Sequence, residues 1–300
     1  MTEILRNMTI LITGSNGFIG KNLCRELQLS GANIIAILHR NNDLDLPIEK
    51  IYYDGTYESL YLPLQSKKID VVVHLATCFL PNHKEAQITD LIDANIKLGT
   101  HLLELTKQKG ISAFINTSTY AQNSKHQGYD PQNLYAATKQ AFEVIMKYYE
   151  ETSQTKFVTL ELTDTYGPGD SRPKFINLIL NAISKDVVFN MSLGEQEICY
   201  LYIDDAVNAF KTCIEHLYNA VITENSKFSV YSDEVFKLKD LVVEVCDTLN
   251  VTLEINPGFY PYRFREIMTY QPSYIKLPGW KCVNSIKDGL KKMKKNAYEN

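Results

Sequence analysis

The sequence contains no apolar run approaching the ~20 residues that a transmembrane helix needs. Its N-terminus carries Glu3 and Arg6 and passes directly into a strand-like segment, which is not the pattern of a signal peptide. An excess of basic residues is also missing, because the net charge is −4 and the pI is about 5.9. The one basic run, at 287–295, is typical of a solvated helix end. We therefore expect neither a membrane nor a nucleic acid as a partner.

Cysteine pairs and clusters of metal ligands are equally scarce. The six cysteines are widely separated and include no Cys-x-x-Cys pair, which indicates reduced thiols rather than a disulfide framework or a zinc site. The six histidines form no His-x-x-x-His pair and no cluster with acidic residues. These absences predict a cytoplasmic protein without a catalytic metal.

Apolar residues, by contrast, are plentiful enough for a large core: they make up 45% of the 300 residues. Short, mainly apolar segments alternate with segments of helical spacing. The strand-like segments are 9–13, 34–38, 71–75, 114–117 and 157–162, and the helical ones are 21–29, 96–107 and 135–150. Apolar strands without alternation are buried on both faces, so the pattern predicts an α/β fold with a Rossmann-type, doubly wound parallel sheet.

The pattern changes after residue 162, where a turn cluster at 166–170 is followed by mixed helices and short strands. We predict a smaller α/β C-terminal lobe there. The segment 200–220 has the pattern of one more strand and helix that return to the first lobe. The predicted dinucleotide-binding domain is therefore 1–165 plus about 196–220, and the predicted substrate lobe is about 166–195 plus 221–300.

Gly14, Gly17 and Gly20 follow the first strand with the spacing Gly-x-x-Gly-x-x-Gly. In such a turn, one glycine allows the sharp bend, one lets the backbone approach a pyrophosphate, and one packs the helix against the strand. The helix N-terminus then offers free N–H groups to an anion. The turn predicts a site for the pyrophosphate of a nicotinamide dinucleotide, although an ordinary strand–helix turn is the alternative.

The end of the second strand indicates which dinucleotide is bound. An NAD site favours a carboxylate there, but this strand ends in His39 and Arg40, with no acid before Asp43. A guanidinium suits a 2′-phosphate, so we favour NADP(H) over NAD(H), unless Arg40 simply faces solvent. Asp54, which precedes Gly55, ends a third strand and either accepts a hydrogen bond from the adenine or caps a turn.

A second motif, Tyr135-x-x-x-Lys139, places a phenol and an ammonium on one face of a helix. A phenol is a poor acid–base group at neutral pH, and we expect the nearby ammonium to lower its pKa. A substrate oxygen also needs a hydroxyl partner from the preceding strand. That strand ends in three hydroxyl residues, Thr117, Ser118 and Thr119, of which we favour Thr119, with Ser118 second.

Together these motifs resemble the extended short-chain dehydrogenase/reductases, the epimerase/dehydratase family that acts on nucleotide sugars. The resemblance covers nearly the whole chain, and its segments are 13–20, 74–76, Asn95 with 99–100, 135–139, 166–168, 194–196, 202–206 and 279–281. Within the family, the segments 114–117, 261–263 and 266–268 are most similar to the sugar 4-ketoreductases related to CDP-abequose synthase.

The resemblance implies a role for each matching residue. Tyr135 would be the acid–base group, Lys139 its partner and Thr119 the donor to the carbonyl oxygen. Further residues that would contact the cofactor are Asn16, Phe18, Ile19, Leu75, Ala76, Thr77 and Asn95. Those that would contact the nucleotide sugar are Ser118, Asp164, Arg172, Lys174 and Arg263.

Several positions depart from the family pattern. Glu161 and Asp164 stand where the family often has an arginine and an asparagine, and Ile198 and Cys199 stand where it usually has Arg-Asp. A phosphate- or ribose-binding arginine is therefore missing, and Arg172, Lys174 or Arg263 would compensate. The segment 120–121 is Tyr-Ala, whereas the 4,6-dehydratases have Asp-Glu, so we do not expect dehydration.

The function implied is the NADPH-dependent reduction of the 4-keto group of an NDP-6-deoxy-4-ketohexose, linked to CDP or dTDP, in deoxysugar and polysaccharide biosynthesis. One alternative is a 4-epimerase with tightly bound NAD. Another is a non-catalytic, nucleotide-sensing protein of the same fold. By analogy with the family, helices at 100–107 and 136–149 would form a homodimer interface.

Overall fold

A computed structural model describes residues 2–39, 43–124 and 128–298 of the chain. The strands are β1 Thr9–Thr13, β2 Asn33–His39, β3 Glu49–Tyr53, β4 Val71–His74, β5 Ala113–Thr119, β6 Lys156–Leu162, β7 Asp164–Tyr166, β8 Phe189–Met191, β9 Glu197–Tyr202, β10 Ser226–Val230, β11 Val235–Lys237 and β12 Ile255–Pro257. The helices are α1 Thr2–Leu5, α2 Phe18–Leu29, α3 Glu58–Leu64, α4 Ile88–Ile92, α5 Leu98–Lys109, α6 Leu134–Thr152, α7 Phe175–Lys185, α8 Ile203–Tyr218, α9 Leu238–Leu249 and α10 Ile286–Tyr298. None of the helices within these ranges is long and apolar enough to cross a membrane.

Seven strands form one parallel sheet in the order β10-β6-β5-β4-β1-β2-β3. The direction in which strands are added reverses between β1 and β4. In open α/β sheets, ligands bind in the crevice outside the carboxyl ends of the strands at such a reversal. Gly14 and Leu75 directly follow β1 and β4, so the glycine turn lies at this crevice. The predicted doubly wound α/β fold is confirmed.

The central strands are largely apolar because helices cover both faces of the sheet. Ile10 and Ile12 of β1 face a core that includes Leu23 and Leu27 of α2 and the buried face of α8. Leu11, on the opposite face, packs in a second core with α3, α5 and α6. This two-sided burial explains why the apolar runs show no alternation.

The remaining strands form two small sheets, β11-β9-β7 and β12-β8, beyond the central one. The expected return of segment 200–220 to the first lobe is only half correct. Its helix, α8, packs against α2, but its strand, β9, pairs with β7 and β11. The seventh central strand is β10, which the sequence had assigned to the second lobe. Its polar residues Ser226, Lys227 and Ser229 hid the apolar strand pattern.

Candidate active site

The glycine turn is held by contacts that leave no room for side chains. Gly14 has φ +68°, and a Cβ on it would lie 2.6 Å from the Ala76 nitrogen at the end of β4. A Cβ on Gly20 would run into the Gly14 carbonyl oxygen. Helix α2 begins at Phe18, and its N-cap residue Gly17 makes no side-chain capping bond. The first amides of α2 therefore suit the pyrophosphate of a dinucleotide, and the residues here fit that group.

His74, at the end of β4, forms a buried side-chain hydrogen bond to β1 across the crevice. The Thr13 hydroxyl is 2.8 Å from His74 Nδ1 and accepts a hydrogen bond from the Ala76 amide over 3.1 Å. Burial, together with the charge of Lys139, lowers the pKa of His74 to about 3, so its ring is neutral. Leu75 and Ala76 directly follow His74 in the chain. The hydrogen bonds of Thr13 to His74 and to the Ala76 amide therefore fix the start of the loop after β4.

Asn95 links that loop to α6, the helix that carries the predicted catalytic pair Tyr135 and Lys139. It lies in a π-helical turn, Asp93–Lys97, and π-turns inside α-helices are frequent at functional sites. Its side chain accepts hydrogen bonds from Thr77 Oγ1 and the Cys78 amide, and it donates to the Cys78 carbonyl and Thr138 Oγ1. Three of these four hydrogen bonds go to Thr77 and Cys78, so Asn95 fixes the loop after β4 beside the predicted cofactor site.

The residues predicted to select the dinucleotide are described only in part. Arg40 lies outside the described residues, while His39 is exposed at the end of β2. Asp54 Oδ1 accepts hydrogen bonds from the amide and the hydroxyl of Thr56, at 2.9 and 2.5 Å. Asp54 therefore caps a turn, which was one of its two predicted roles. Gly55 has φ +97° in the same turn, a conformation that favours glycine.

Tyr135 and Lys139 lie in the first two turns of α6, whose N-cap residue Asn133 accepts a hydrogen bond from the Ala136 amide over 2.9 Å. Tyr135 is 8% exposed and Lys139 is 3% exposed. The expected lowering of the Tyr135 pKa is wrong: burial raises it to about 12, and a hydrogen bond from Thr77 opposes the rise without reversing it. Burial lowers the pKa of Lys139 to about 8, against the opposing charge of Glu143.

The three hydroxyls at the end of β5 differ in their partners. Thr117 Oγ1 donates to the His74 carbonyl over 2.6 Å, and Ser118 Oγ donates to Gln122 Oε1 over 2.9 Å. Thr119 Oγ1 accepts from the Ala121 amide over 3.3 Å, and its own proton meets no acceptor in the part of the chain that the structure describes. Thr119 is thus the hydroxyl with a proton to donate to a bound molecule.

A buried network that the sequence did not reveal supports this strand end. Gln122, besides accepting from Ser118, accepts from the Thr119 amide and donates to Glu143 on α6 over 3.0 Å. Glu143 also forms an ion pair with Lys227 on β10. The network joins the end of β5, α6 and β10, which are distant in the chain, so local spacing gave no signal for it.

The predicted substrate wall consists of two ion pairs, Asp164–Lys174 and Asp170–Arg172. Asp164 accepts hydrogen bonds from Lys174 Nζ over 2.5 Å and from the Tyr120 hydroxyl over 3.2 Å. Burial alone would raise its pKa, but the charge and hydrogen bond of Lys174 hold the pKa below its usual value. The Lys174 ammonium lies 4.2 Å from the centre of the Phe79 ring, whose edge-to-face contact with Tyr135 spans 4.9 Å. The structure therefore brings Asp164 and Lys174 close to Tyr135, the predicted acid–base residue.

Arg172 lies on the cofactor side of the same wall. Its guanidinium pairs with both oxygens of Asp170, at 2.7 and 2.9 Å, and donates to the Thr165 carbonyl. It also lies 4.6 Å from the centre of the Phe18 ring, at the start of α2. The structure thus brings Arg172 to the glycine turn, already paired with a carboxylate.

The segment 261–268, which carried part of the resemblance, lies beside the start of α6. Arg263 is exposed, whereas Ile267 is buried against Ala121 and Ala136. Arg265 donates to the Pro131 carbonyl over 3.0 Å and pairs with Asp130. These contacts were not predicted, because they join positions more than a hundred residues apart.

The family model for the NAD dependent epimerase/dehydratase family matches residues 10–225. The chain belongs to this family. The match confirms the resemblance to extended short-chain dehydrogenase/reductases.

CDP-abequose synthase of Salmonella typhimurium is 28% identical to the chain over 298 residues, which cover 95% of the chain and 97% of that protein. The dTDP-4-dehydro-6-deoxyglucose reductase of Escherichia coli is 25% identical over 317 residues, which cover 97% and 98%. The structure of Thermus thermophilus UDP-glucose 4-epimerase with NAD matches at a TM-score of 0.77 and 18% identity, over 98% of the chain and 99% of that protein. At this identity, the structural match supports the fold alone.

Proposed function

We propose that the protein reduces the 4-keto group of an NDP-6-deoxy-4-ketohexose with NADPH, in deoxysugar biosynthesis. The observation that carries the proposal is the similarity to CDP-abequose synthase over 95% of the chain. A second relative over nearly the full length is named as a reductase of a 4-dehydro-6-deoxyglucose. Both names describe sugars with a nucleotide attached, so we propose CDP or dTDP as the nucleotide.

The proposed catalytic roles depend on which side chains carry a proton at neutral pH. When bound, the dinucleotide supplies a hydride to the carbonyl carbon. Because its pKa is about 12, Tyr135 carries its proton at neutral pH and donates it to the carbonyl oxygen. The free proton of Thr119 forms a second hydrogen bond to that oxygen as negative charge develops. The Lys139 ammonium, on the same helix face, adds a positive charge to the site.

The substrate wall would bind the charged part of the sugar nucleotide. Lys174 and Arg172 are the cations beside Tyr135 and the glycine turn, and each is paired with a carboxylate. We propose that a diphosphate shares these cations with Asp164 and Asp170, and that Arg263 contacts it from the exposed segment. Ser118, whose hydroxyl is bonded to Gln122, would act by holding Thr119.

A preference for NADPH rests on the sequence of the second strand end, where His39 is followed by Arg40 and the first acid is Asp43. A carboxylate there would repel a 2′-phosphate, whereas a guanidinium binds it. Comparing the KM values for NADPH and NADH, in the wild type and in Arg40→Ala, tests this preference. We expect NADPH to be favoured and the substitution to weaken NADPH alone.

A 4-epimerase is the second candidate, because a solved epimerase with NAD shares the fold. An epimerase first removes a proton from the sugar hydroxyl and therefore needs an ionised tyrosine. The raised pKa of Tyr135 disfavours that starting state. The cofactor that copurifies separates the candidates, since tightly held NAD favours the epimerase and exchangeable NADPH favours the reductase.

The decisive experiment offers the protein a panel of CDP- and dTDP-4-keto-6-deoxyhexoses with NADPH and follows the loss of absorbance at 340 nm. We expect one or more sugars to be reduced. Tyr135→Phe should lower kcat by about 10²-fold or more, because it removes the general acid. Tyr218→Phe, at an exposed position on α8, is the matched control and should keep wild-type turnover. The absence of NADPH oxidation with every sugar would count against the reductase.

We also propose a homodimer. On α6, Val144 is 65% exposed and Tyr148 is 57% exposed, and Ile92 on the neighbouring α4 is 40% exposed. Apolar side chains on adjacent helices form the kind of surface that a second copy covers. Light scattering coupled to gel filtration should give twice the 34.3 kDa chain mass, and Val144→Glu with Tyr148→Glu should give a monomer.

A further inference from the structure

Two separate elements supply the hydroxyls of the proposed reaction. Thr119 ends β5 and Tyr135 lies at the start of α6, yet both would bond to one carbonyl oxygen. The connection between the two elements, 120–133, is too long to fix their separation by itself. The ring contact between Phe114 and Phe142 joins β5 to α6 near the opposite end of the strand. The separation at the hydroxyl end therefore depends on further contacts there.

The side-chain amide of Gln122 makes such contacts with both elements. Gln122 is 1% exposed. Its Oε1 accepts hydrogen bonds from Ser118 Oγ over 2.9 Å and from the Thr119 amide over 3.2 Å. On α6, its Nε2 donates to Gln140 Oε1 and to Glu143 Oε1, each over 3.0 Å. An amide oxygen accepts two hydrogen bonds and an amide nitrogen donates two, so all of its bonding positions are used.

These hydrogen bonds fix the direction of the amide as well as its place. If the amide of Gln122 turned over, its nitrogen would face the N–H of Thr119 and its oxygen would face the Glu143 carboxylate, which leaves buried groups unpaired. Glu143 is itself held by an ion pair with Lys227 on β10. The bridge therefore runs in one orientation from β5 to α6 and on to β10.

We propose that Gln122 is a positioning residue that fixes the hydroxyl end of β5 against α6, so that Thr119 and Tyr135 bond one carbonyl oxygen at the same time. The inference rests on the proposed reductase function. It applies equally to Ser118, the second candidate hydroxyl, because the amide bonds to Ser118 directly. A misplacement of about 1 Å between reacting groups costs up to about 10²-fold in rate. The loss of the bridge should therefore appear in kcat.

The first variant, Gln122→Met, keeps the length of the side chain and removes its four hydrogen bonds. With NADPH and a 4-keto sugar nucleotide, we expect kcat to fall about tenfold or more, while both KM values stay within about twofold. The isotope effect on kcat with NADPH deuterated at the transferred hydrogen should rise, because hydride transfer becomes rate-limiting. Gln28→Met, which removes an amide near the C-terminal end of α2, is the matched control and should keep wild-type values.

An exchange of amide and carboxylate separates positioning from stability. Gln122→Glu alone brings a second carboxylate to a position 3.0 Å from Glu143 Oε1, so it should lower both the Tm and kcat. Adding Glu143→Gln restores a donor between the two positions. The new glutamine donates to the new carboxylate and accepts from Lys227, and the new carboxylate still accepts from the end of β5. We expect this double variant, at its own pH optimum, to recover kcat to within about threefold of the wild type.

A measurement without cofactor or sugar examines the strand end directly. Hydrogen exchange followed by mass spectrometry should show faster exchange of the amides at 117–122 in Gln122→Met, and wild-type exchange in the double variant. If Gln122→Met does not fold, the pair of exchange variants decides the question.

Three results would overturn the inference. A wild-type kcat and isotope effect in Gln122→Met would show that the hydroxyls are aligned without the bridge. A double variant that recovers its Tm but not its kcat would show that the bridge only stabilises the fold. A wild-type protein that reduces no sugar would overturn the reductase function and this role with it, whereas the first two results leave that function standing, so the failures are distinguishable.

Discussion

The two walls of the site are built in different ways. The cofactor wall consists of close backbone contacts, in which Gly14 and Gly20 bring β1, β4 and α2 together. The substrate wall consists of ion pairs, with Asp164 and Lys174 at 2.5 Å and Asp170 and Arg172 at 2.7 Å. Under the proposed function, the first wall would bind a dinucleotide by its shape and by main-chain amides. The second wall would redistribute its charges when an anionic ligand binds, so we expect substitutions there to change affinity in graded steps.

The largest effect should come from the cofactor wall. Gly14→Ala adds a Cβ that would lie 2.6 Å from a backbone nitrogen, and neither β1 nor β4 can move away within the sheet. We expect NADPH affinity, measured by fluorescence titration, to fall by about 100-fold or more, because the crevice must open for the side chain to fit.

Gly110→Ala is the matched control for backbone strain. Gly110 also has a left-handed conformation, φ +61°, but a Cβ there would meet nothing within 4 Å. This control should lose roughly 1–2 kcal/mol of folding free energy and keep wild-type NADPH affinity. Equal loss of NADPH affinity in the two variants would show that strain, rather than close packing, explains the first result.

A smaller effect is expected from the substrate wall. Lys174→Met removes a cation next to Phe79 and Tyr135, and we expect the KM for the sugar nucleotide to rise about tenfold, as for the loss of one charged hydrogen bond. The variant also leaves Asp164 without its nearest cation, which should lower the Tm.

The double variant Asp164→Asn with Lys174→Met separates these two consequences. Asparagine removes the uncompensated charge, so the Tm should recover while the KM stays high. Recovery of the KM together with the Tm would mean that Lys174 only neutralises Asp164 and does not bind the substrate. That result would contradict the proposal that a bound diphosphate shares Lys174 with Asp164.

The contrast between the two walls also explains which parts of the candidate site could be predicted from the sequence. The cofactor wall depends on residues a few positions apart, such as Gly14 to Gly20 and Tyr135 to Lys139, whose spacing itself encodes their geometry. The substrate wall and its supports join distant positions. Lys227 reaches Glu143, and Ile267 packs on Ala136, through the folded sheet rather than through local spacing.

The raised pKa of Tyr135 is another case that spacing could not predict. A tyrosine four residues before a lysine suggested a stabilised phenolate, but the balance depends on burial. Tyr135 lies under Phe79 and is 8% exposed, and desolvation outweighs the favourable contacts. Strand β10 was missed for a related reason, because its place in the sheet is decided by pairing with β6 rather than by its own composition.

The smallest predicted effect is a shift in pH dependence. The Lys139 ammonium has a pKa of about 8, so its charge is present below that pH and is lost as the pH rises through it. If the ammonium supports catalysis, kcat should fall above about pH 8. Glu143 raises the pKa of Lys139. Glu143→Gln should therefore move the fall in kcat to lower pH, while its amide oxygen still accepts the hydrogen bond from Gln122.

Glu151→Gln, which removes an exposed carboxylate at the end of the same helix, controls for the change in net charge. Its pH profile should match that of the wild type, because the charge it removes is screened by solvent. A Glu143→Gln profile that also matches the wild type would mean that the alkaline fall does not report Lys139. A shift to higher pH would contradict the sign of the coupling, since loss of a nearby carboxylate cannot stabilise an ammonium. A shift to lower pH in Glu143→Gln, with none in Glu151→Gln, would show that ionic interactions influence α6 as well as the substrate wall. The cofactor wall would then be the part of the site that depends mainly on close packing.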